Sequence, residues 1–172
     1  MLFEKLKSVK AFALDVDGVL TDGLVLVNEE GHQLRRFNIR DGYALQLAVK
    51  KGFPLLVITG GQSEGVRKRL AGLGIKDIEL GVSDKVAVFK NWLTKLELHP
   101  EDVLYIGDDI PDLEVMKIVG LAACPNDAAE EIKAIAHYIG TKNGGEGVVR
   151  EIMEKVLKLQ GAWDADQYIK SV

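Results

Sequence analysis

Short runs of apolar and often β-branched residues alternate along this chain with segments whose apolar residues recur at helical spacing. The apolar runs predict six strands, at 11–16, 53–60, 77–82, 102–109, 121–125 and 137–140. The apolar positions with helical spacing include Val66, Leu70 and Leu73 in one segment and Val86, Phe89, Leu93 and Leu96 in the next. This alternation predicts the α/β fold class, with a Rossmann-like parallel sheet flanked by helices.

Polar residues and glycines mark the expected ends of three helices. Asp41 precedes the segment YALQLAVKK and is the predicted N-cap of a helix that stops at Gly52. Ser63 and Asp84 are the predicted N-caps of the next two helices, and Gly74 is expected to end the first of these two.

Residues 23–37 depart from the alternation, because two strand-like runs surround the turn signal Asn-Glu-Glu-Gly. They predict an inserted β-hairpin. A hairpin alone is marginally stable in water, so we expect this one to pack on a neighbouring subunit. Residues 161–172 form a C-terminal tail after the last predicted helix, and 1–172 is expected to be a single domain.

Composition and charge exclude several classes of partner. The net charge of −4 gives no basic surface for nucleic acid, and no apolar run approaches the roughly 20 residues needed to span a membrane. The single cysteine, Cys124, cannot form an internal disulfide, and the first ten residues are charged without an apolar signal segment. We therefore expect a cytoplasmic protein with neither nucleic acid nor a membrane as partner.

Polar side chains follow the predicted strands at the points where each strand ends. The first strand ends in Asp15 and Asp17, the second in Thr59 and the fourth in Asp108, while Lys85 opens the helix after the third. The carboxyl ends of parallel strands line the ligand crevice of an open sheet. Four distant segments are thus expected to bring carboxylates, a hydroxyl and an amine together.

Carboxylates gathered in one place repel each other unless a cation neutralises them. Asp15, Asp17 and Asp108 offer oxygen ligands without sulfur or imidazole, which is the donor set that Mg²⁺ prefers. The sequence therefore predicts a magnesium site with these three residues as ligands.

An ionised carboxylate beside such a cation can attack phosphorus and form an aspartyl-phosphate. Asp15 is the predicted nucleophile, and Asp17 is the predicted general acid and base, two residues further on. Thr59, the Lys85 ammonium and the backbone N–H groups after the strands are expected to bind the transferring phosphoryl group.

Four motifs resemble those of the haloacid dehalogenase (HAD) superfamily, in the same order and spacing. They are DVDGVLTDG from Asp15, ITG at 58–60, the lysine at 85, and IGDDIPD at 106–112. Most HAD phosphatases insert a cap domain after the first motif or between the second and third. In this chain a hairpin and one helix occupy the first interval, and one helix and one strand occupy the second, so no cap domain is expected.

The resemblance implies a role for each acid of the motifs. Asp15 is implied to be both nucleophile and metal ligand, and Asp17 to be the general acid and base that reaches the metal through its backbone carbonyl. Asp108 is implied to be a metal ligand, with Asp109 and Asp112 in supporting positions around it.

Nearly the whole chain resembles the capless 3-deoxy-D-manno-octulosonate 8-phosphate (KDO 8-phosphate) phosphatase subfamily, through VLTDG, FNIRDGYAL, LLVITGG, IGDDIPDLEVM and GGEGVVREI. This resemblance implies hydrolysis of KDO 8-phosphate in lipopolysaccharide precursor biosynthesis. It also implies a homotetramer whose hairpins form a central barrel, with a tail that reaches an adjacent site.

Five residues are candidates for substrate binding: Gly18, Arg40, Gly60, Gly61 and Arg69. Arg69 is the preferred candidate for binding a sugar-acid carboxylate, across a subunit boundary, because a guanidinium matches a carboxylate in shape. The alternative is that Arg69 belongs to the solvated face of its helix. Arg40 stands beside Asp41, where it is equally consistent with a surface position before a helix.

Other functions remain open at the level of sequence. Gly61 stands where relatives carry larger polar side chains, so a nine-carbon sugar-acid 9-phosphate is an alternative substrate. A phosphorylated receiver domain also groups acids, a threonine and a lysine around Mg²⁺, but its acid pair, phosphorylated aspartate and lysine come in a different order. A non-catalytic homologue would have lost one of the catalytic groups, and none is lost in this chain.

Overall fold

The computed structural model describes residues 1–164 and 169 of the chain. Its strands are β1 (Ala11–Leu14), β2 (Leu26–Val27), β3 (Gln33–Leu34), β4 (Leu55–Ile58), β5 (Asp77–Glu79), β6 (Val103–Ile106), β7 (Leu121–Cys124) and β8 (Tyr138–Ile139). Its helices are α1 (Leu2–Ser8), α2 (Ile39–Lys50), α3 (Glu64–Gly72), α4 (Lys85–Leu96), α5 (Leu113–Ile118), α6 (Glu130–Ile135) and α7 (Val148–Leu159), with 3-10 turns at Pro100–Asp102 and Ile110–Asp112. Among the described residues, no helix has the length and apolar character needed to cross a membrane.

Six strands form one parallel sheet in the order β5-β4-β1-β6-β7-β8, which confirms the predicted α/β sheet. The chain runs from β1 outward through β4 and β5, and then returns to the other side of β1 to add β6, β7 and β8. Strand order therefore reverses at β1. A crevice forms at the carboxyl ends of the strands at such a reversal, which places the binding site after β1.

Helices cover both faces of the sheet, and alternate residues of each strand point to opposite faces. Phe12 and Leu14 of β1 pack in a cluster with side chains from α1, α2, α3 and α7. Ala11 and Ala13 pack in a second cluster with side chains from α4, α5 and α6. Because both faces are buried, the central strands are continuous apolar runs in the sequence.

The predicted starts of α3 and α4 are confirmed, and the predicted start of α2 is wrong. Ser63 Oγ accepts the N–H of Val66, and Asp84 Oδ1 accepts the N–H of Ala87. The N-cap of α2 is Asn38 rather than Asp41.

Asn38 and Asp41 bind different helices. Asn38 Oδ1 accepts the N–H of Arg40 at 2.8 Å and so caps α2. Asp41 lies buried in the first turn of α2, and its Oδ1 accepts the N–H of Arg150 in α7 at 2.7 Å. The Asp41 carboxylate therefore binds a backbone N–H group in the first turn of α7, where such groups lack partners within the helix, instead of capping α2.

The β-hairpin predicted within 23–37 is present, with a ladder of two residue pairs between β2 and β3. Its turn is held by Asn28, whose Oδ1 accepts the N–H groups of Glu30 and His32, and by Gly31 at φ +82°. Five large apolar side chains of the hairpin are exposed: Leu24, Val25, Leu26, Val27 and Leu34.

The first residues of the predicted tail pack on the chain's own core. The ring of Trp163 meets that of Tyr43 edge-on at 5.7 Å, and the Arg150 guanidinium lies over both rings. Residues 165–168 and 170–172 lie outside the described residues. The predicted reach of the tail into an adjacent site therefore stays a prediction.

Candidate active site

A cavity of about 470 Å³ opens at the carboxyl ends of β1, β4 and β6. Asp15 directly follows β1, Thr59 directly follows β4, and Asp108 lies two residues beyond β6. The residues that line this cavity are Asp15, Asp17, Gly18, Gly23, Thr59, Gly60, Gly61, Val82, Ser83, Lys85, Asp108, Asp109 and Pro111. The structure thus brings together all the predicted catalytic residues and three of the five predicted substrate-binding residues.

Three carboxylates form an acidic cluster at the cavity, and two of them, Asp15 and Asp108, line it. Oxygen atoms of Asp15, Asp108 and Asp112 lie within 4.8 Å of one another. Burial, followed by repulsion from Asp112, raises the pKa of Asp15 to about 6. Burial, with repulsion from Asp112 and Asp15, raises the pKa of Asp108 to about 8. Three acids at this distance resist ionising together, which is the electrostatic condition that a divalent cation relieves.

Lys85 stands against this cluster at the start of α4. Its Nζ lies 3.0 Å from Asp15 Oδ2 and 2.8 Å from Asp112 Oδ1, and the residue is buried. Burial works to lower the pKa of Lys85, but the attraction of Asp15 and Asp112 outweighs it and raises the pKa. Lys85 is therefore a fixed positive charge beside the predicted nucleophile.

Asp112 is the most deeply buried member of the cluster. It is fully buried, and its Oδ1 accepts the Tyr105 hydroxyl at 2.6 Å while its Oδ2 accepts the N–H of Asp108 at 3.1 Å. Tyr105, in β6, was not among the predicted site residues. The sequence offers one signal for it: the Tyr105 hydroxyl is the only polar side-chain group in the apolar strand VLYI, which runs directly into the motif IGDD.

Asp17 forms an ion pair with Arg35, the residue that follows β3 of the hairpin. Arg35 Nε donates to Asp17 Oδ1 at 2.6 Å, and Arg35 Nη2 donates to Oδ2 at 3.1 Å. The Asp17 side chain is 37% exposed at the cavity, whereas that of Arg35 is 6% exposed. Sequence reasoning missed Arg35, because nothing local indicates which acid an arginine after a short strand will meet.

The turn after β4 presents hydrogen-bonding groups to the cavity. Thr59 is buried, and its Oγ1 accepts the N–H of Gly61 at 3.3 Å. A Cβ at Gly61 would lie 3.3 Å from both Arg35 Nη2 and Asp17 Oδ2. The missing side chain at Gly61 therefore leaves room for that ion pair.

Two glycines allow the acids and loops around β1 to approach closely. Gly18 has φ +79°, and a Cβ there would lie 1.9 Å from Asp108 Oδ2. Gly144, in the loop before α7, packs on the same segment, since its Cβ would lie 1.9 Å from the carbonyl oxygen of Gly18. The position of Asp17 and its neighbours thus depends on close backbone packing.

Comparison with known proteins places these residues in a family. The haloacid dehalogenase-like hydrolase family matches residues 77–152. The 3-deoxy-D-manno-octulosonate 8-phosphate phosphatase of Escherichia coli (strain K12) is 39% identical over 160 residues, which cover 93% of this chain and 85% of that protein. The chain belongs to the haloacid dehalogenase-like hydrolases.

Solved structures of this hydrolase family share the fold. The crystal structure of 3-deoxy-D-manno-octulosonate 8-phosphate phosphatase from Moraxella catarrhalis, in complex with magnesium ion, phosphate ion and KDO, has a TM-score of 0.91 and 39% identity. The match covers 95% of this chain and 94% of the M. catarrhalis chain. The cobalt-bound enzyme from Haemophilus influenzae has a TM-score of 0.87 and 32% identity, with 91% and 92% covered. These relatives confirm the resemblance drawn from the four motifs.

The described residues of this hydrolase contain no cap domain, as expected. Asp109 is exposed and caps the turn at Ile110–Asp112, since its Oδ1 accepts the N–H of Ile110 at 2.8 Å. Asp112 lies closer to Asp15 and Asp108 than a supporting residue is expected to lie, because its carboxylate belongs to the acidic cluster.

Arg40 and Arg69 do not line the cavity of this hydrolase chain. Arg40 borders a separate surface cavity together with residues of α7. Arg69 is folded against α2, where its Nη2 would lie 2.8 Å from a Cβ at Gly42. Its Nε is buried without a hydrogen-bond partner among the described residues. Their predicted contact with substrate, which for Arg69 invoked a neighbouring subunit, stays a prediction.

The acidic cluster fits a divalent cation, the kind of ion bound in the M. catarrhalis and H. influenzae structures. Its donors are carboxylate oxygens, which suit Mg²⁺. When Asp15, Asp108 and Asp112 are ionised, the Lys85 ammonium offsets one of their three negative charges. A divalent cation would neutralise the remainder and lower the pKa values that burial and repulsion raise.

Proposed function

We propose that this chain is a Mg²⁺-dependent phosphatase that hydrolyses KDO 8-phosphate to KDO and inorganic phosphate. The observation that carries the proposal is the buried carboxylate of Asp15, which contacts Lys85, belongs to the acidic cluster and lines the cavity. The names of the E. coli and M. catarrhalis relatives, and the ligands in the latter structure, support this substrate.

In the first half of the reaction, an Asp15 oxygen attacks phosphorus while the bond from phosphorus to the sugar oxygen breaks. Asp15 Oδ1 already accepts the N–H of Val16 at 2.7 Å and Oδ2 is held by Lys85, so the carboxylate is oriented before substrate arrives. Asp17, at the open side of the cavity, gives a proton to the departing sugar alkoxide.

In the second half, water attacks phosphorus of the aspartyl-phosphate, and the bond to Asp15 breaks. Asp17, which lost its proton in the first half, takes one from this water. Thr59, Lys85 and Gly60 line the cavity, and the Thr59 hydroxyl, the Lys85 ammonium and the Gly60 N–H bind the phosphoryl oxygens in this mechanism. Asp15 and Asp17 are then ready for another cycle.

Mg²⁺, when bound by Asp15, Asp108 and the backbone carbonyl of Asp17, supplies positive charge to the phosphoryl oxygens. Asp112 holds Asp108 through its N–H and holds Lys85 through an ion pair. The protein's contribution is therefore a set of acids and one amine fixed in place before catalysis.

The test is phosphate release from KDO 8-phosphate, nine-carbon sugar-acid 9-phosphates and common sugar phosphates, with Mg²⁺ and with a chelator. We expect preference for KDO 8-phosphate, loss of turnover with chelator, and loss in Asp15→Asn. Glu130→Gln, at the surface ion pair with Lys133 in α6, is the control and should retain activity. Turnover in Asp15→Asn would remove Asp15 as the nucleophile.

Two of the alternative functions are decided by the same assay. Preference for a nine-carbon ester would keep the mechanism and change the substrate. No release from any ester would support a non-catalytic homologue. The receiver-domain hypothesis is wrong, because the chain belongs to the haloacid dehalogenase-like hydrolases.

We also propose that the chain acts as a cytoplasmic homotetramer assembled through its hairpins. The five exposed apolar side chains from Leu24 to Leu34 support this assembly, because large apolar groups clustered on a short hairpin favour burial against another chain. The single buried cysteine, Cys124, fits a reducing compartment.

A further inference from the structure

We propose that Arg35 is a positioning residue for Asp17, and that the missing side chain at Gly61 is what allows it to act. The inference rests on the proposed function, because it assigns Arg35 a role through the general acid and base. It extends that function to a residue outside the four motifs, carried by the strand that returns from the hairpin.

The contact between Arg35 and Asp17 is two-pronged. Nε and Nη2 of one guanidinium donate to the two oxygens of one carboxylate, at 2.6 and 3.1 Å. Such paired bonds fix the plane of a carboxylate as well as its position. Each oxygen keeps a further lone pair, so the contact leaves Asp17 able to exchange a proton with substrate or water.

Asp17 needs such a partner more than the other acids do. Asp15 and Asp112 are buried and are held by Lys85, whereas the Asp17 side chain is more than one third exposed at the cavity. An exposed aspartate samples several rotamers, and a proton donor must be within hydrogen-bond reach of the leaving oxygen. Arg35 supplies the restraint that burial supplies for the others.

Arg35 is itself anchored rather than free. Its side chain is 6% exposed, and Nη1 donates to the carbonyl of Gln33 in β3 at 3.2 Å. The next residue, Arg36, binds Asp22 in the same loop as Asp17 at 2.6 Å. Burial and the bond to its own strand therefore hold the Arg35 side chain, and the exposed Arg36 pair is separate from the contact with Asp17.

Gly61 completes the arrangement from the opposite side. A methyl group there would stand 3.3 Å from both Arg35 Nη2 and Asp17 Oδ2, close enough that the ion pair would have to shift. The geometry thus links three positions that come from the catalytic loop, the hairpin and the turn after β4.

The test compares two esters that differ in their need for a proton. The sugar alkoxide of KDO 8-phosphate must be protonated as it leaves, whereas p-nitrophenolate leaves without a proton. Loss of general acid catalysis therefore lowers kcat for the sugar ester selectively, by about 10²–10⁴-fold in typical enzymes. Asp17→Asn sets the full size of this selective loss.

We expect Arg35→Met to lower kcat for the sugar ester at least about tenfold more than kcat for p-nitrophenyl phosphate, with KM for the sugar ester little changed. Arg35→Lys should lie between the wild type and Arg35→Met, because an ammonium keeps the charge and loses the two-pronged geometry. Gly61→Ala, which keeps Arg35, should change the ratio in the same direction by less. In an Asp17→Asn background, Arg35→Met should change the ratio no further.

Arg36→Met is the matched control, since Arg36 is exposed and pairs with Asp22 instead of Asp17. It should leave the ratio of the two kcat values unchanged. Equal losses on both esters in Arg35→Met, or no loss, would overturn the proposal. If Arg35→Met does not fold, as judged by circular dichroism, Arg35→Lys and Gly61→Ala decide the question in the same assay.

The outcomes also separate this proposal from the proposed function. If the wild type prefers another sugar-acid phosphate, that ester replaces KDO 8-phosphate in the comparison. A selective loss in Asp17→Asn without one in Arg35→Met rejects the role of Arg35 alone. No selective loss in Asp17→Asn rejects Asp17 as the acid, and with it the role of Arg35.

Discussion

Burial and mutual repulsion raise the pKa values of two carboxylates in the acidic cluster. In the folded protein without a cation, the pKa of Asp108 is about 8 and that of Asp15 about 6, both above the ordinary value of 3.8. Between the ordinary and raised values, the folded protein binds more protons than the unfolded chain. Raising the pH through this interval therefore lowers the free energy of unfolding.

We expect the melting temperature of metal-free protein to fall as pH rises from about 5 to about 8, the interval below the Asp108 pKa. Mg²⁺ binds the ionised carboxylates, so it should raise the melting temperature more at pH 8 than at pH 5. Differential scanning fluorimetry with chelator and with Mg²⁺ measures both effects. Asp108→Asn is the control and should flatten the pH dependence; an unchanged slope in this variant would contradict the assignment.

The buried hydroxyl of Tyr105 stabilises Asp112. Tyr105→Phe removes a 2.6 Å donor from a fully buried carboxylate, and we expect a loss of about 1–3 kcal/mol in the free energy of unfolding measured in urea. Tyr138→Phe is the matched control. Tyr138 lies on the partly exposed edge strand β8, and its hydroxyl donates to Glu151 in α7. A loss in Tyr138→Phe as large as that in Tyr105→Phe would argue against a special cost of uncovering Asp112.

At the scale of elements, close packing of loops shapes the site. The loop before α7 rests on the catalytic loop, with Gly145 N–H donating to the carbonyl of Val19 at 3.0 Å and Asn38 Nδ2 donating to the carbonyl of Gly145. This loop is thereby tied both to the segment that carries Asp17 and to the start of α2.

Gly144→Ala should sharply reduce turnover, because its Cβ would lie 1.9 Å from the carbonyl oxygen of Gly18 and the catalytic loop must move. Gly72→Ala is the matched control at the end of α3, where nothing lies within 4 Å of the added Cβ. It should retain activity and raise the free energy of unfolding by about 0.5–1 kcal/mol. Wild-type kcat in Gly144→Ala would show that this contact does not position the loop.

Local sequence was sufficient for the elements wherever the deciding contact was local. The apolar runs predicted β1, β4, β6 and β7 because both sheet faces bury them, and Ser63 and Asp84 cap helices through bonds three residues away. Asp41 failed as a cap because two equally suitable residues, Asn38 and Asp41, stand close together. A contact with α7 decides between them, and local sequence cannot reveal it.

At the scale of the whole molecule, the predicted catalytic residues meet because strand order brings the ends of β1, β4 and β6 together. The sequence was sufficient to predict these catalytic residues, since each of them follows a recognisable strand or begins a helix. Arg35 and Tyr105 could not be predicted as site residues, because their contacts with Asp17 and Asp112 are not revealed by local sequence.

The exposed hairpin predicts how subunits assemble. Leu26→Asp should dissociate the proposed tetramer, because a charge on this apolar surface opposes its burial. Leu26 is 69% exposed in the single chain, so the folded subunit should remain intact. Sedimentation velocity measures the change, and Ile118→Asp, on α5, is the control for a charge placed elsewhere. A tetramer that survives Leu26→Asp would contradict assembly through the hairpin.

The space left by Gly61 has a consequence for the history of this chain. A larger residue at position 61 and an arginine at position 35 compete for the same volume beside Asp17. A lineage that enlarges residue 61 while Arg35 is present disturbs the contact between Arg35 and Asp17, and one that first replaces Arg35 loses that contact. The two positions are therefore expected to change together, and homologous sequences should rarely combine bulk at one with arginine at the other.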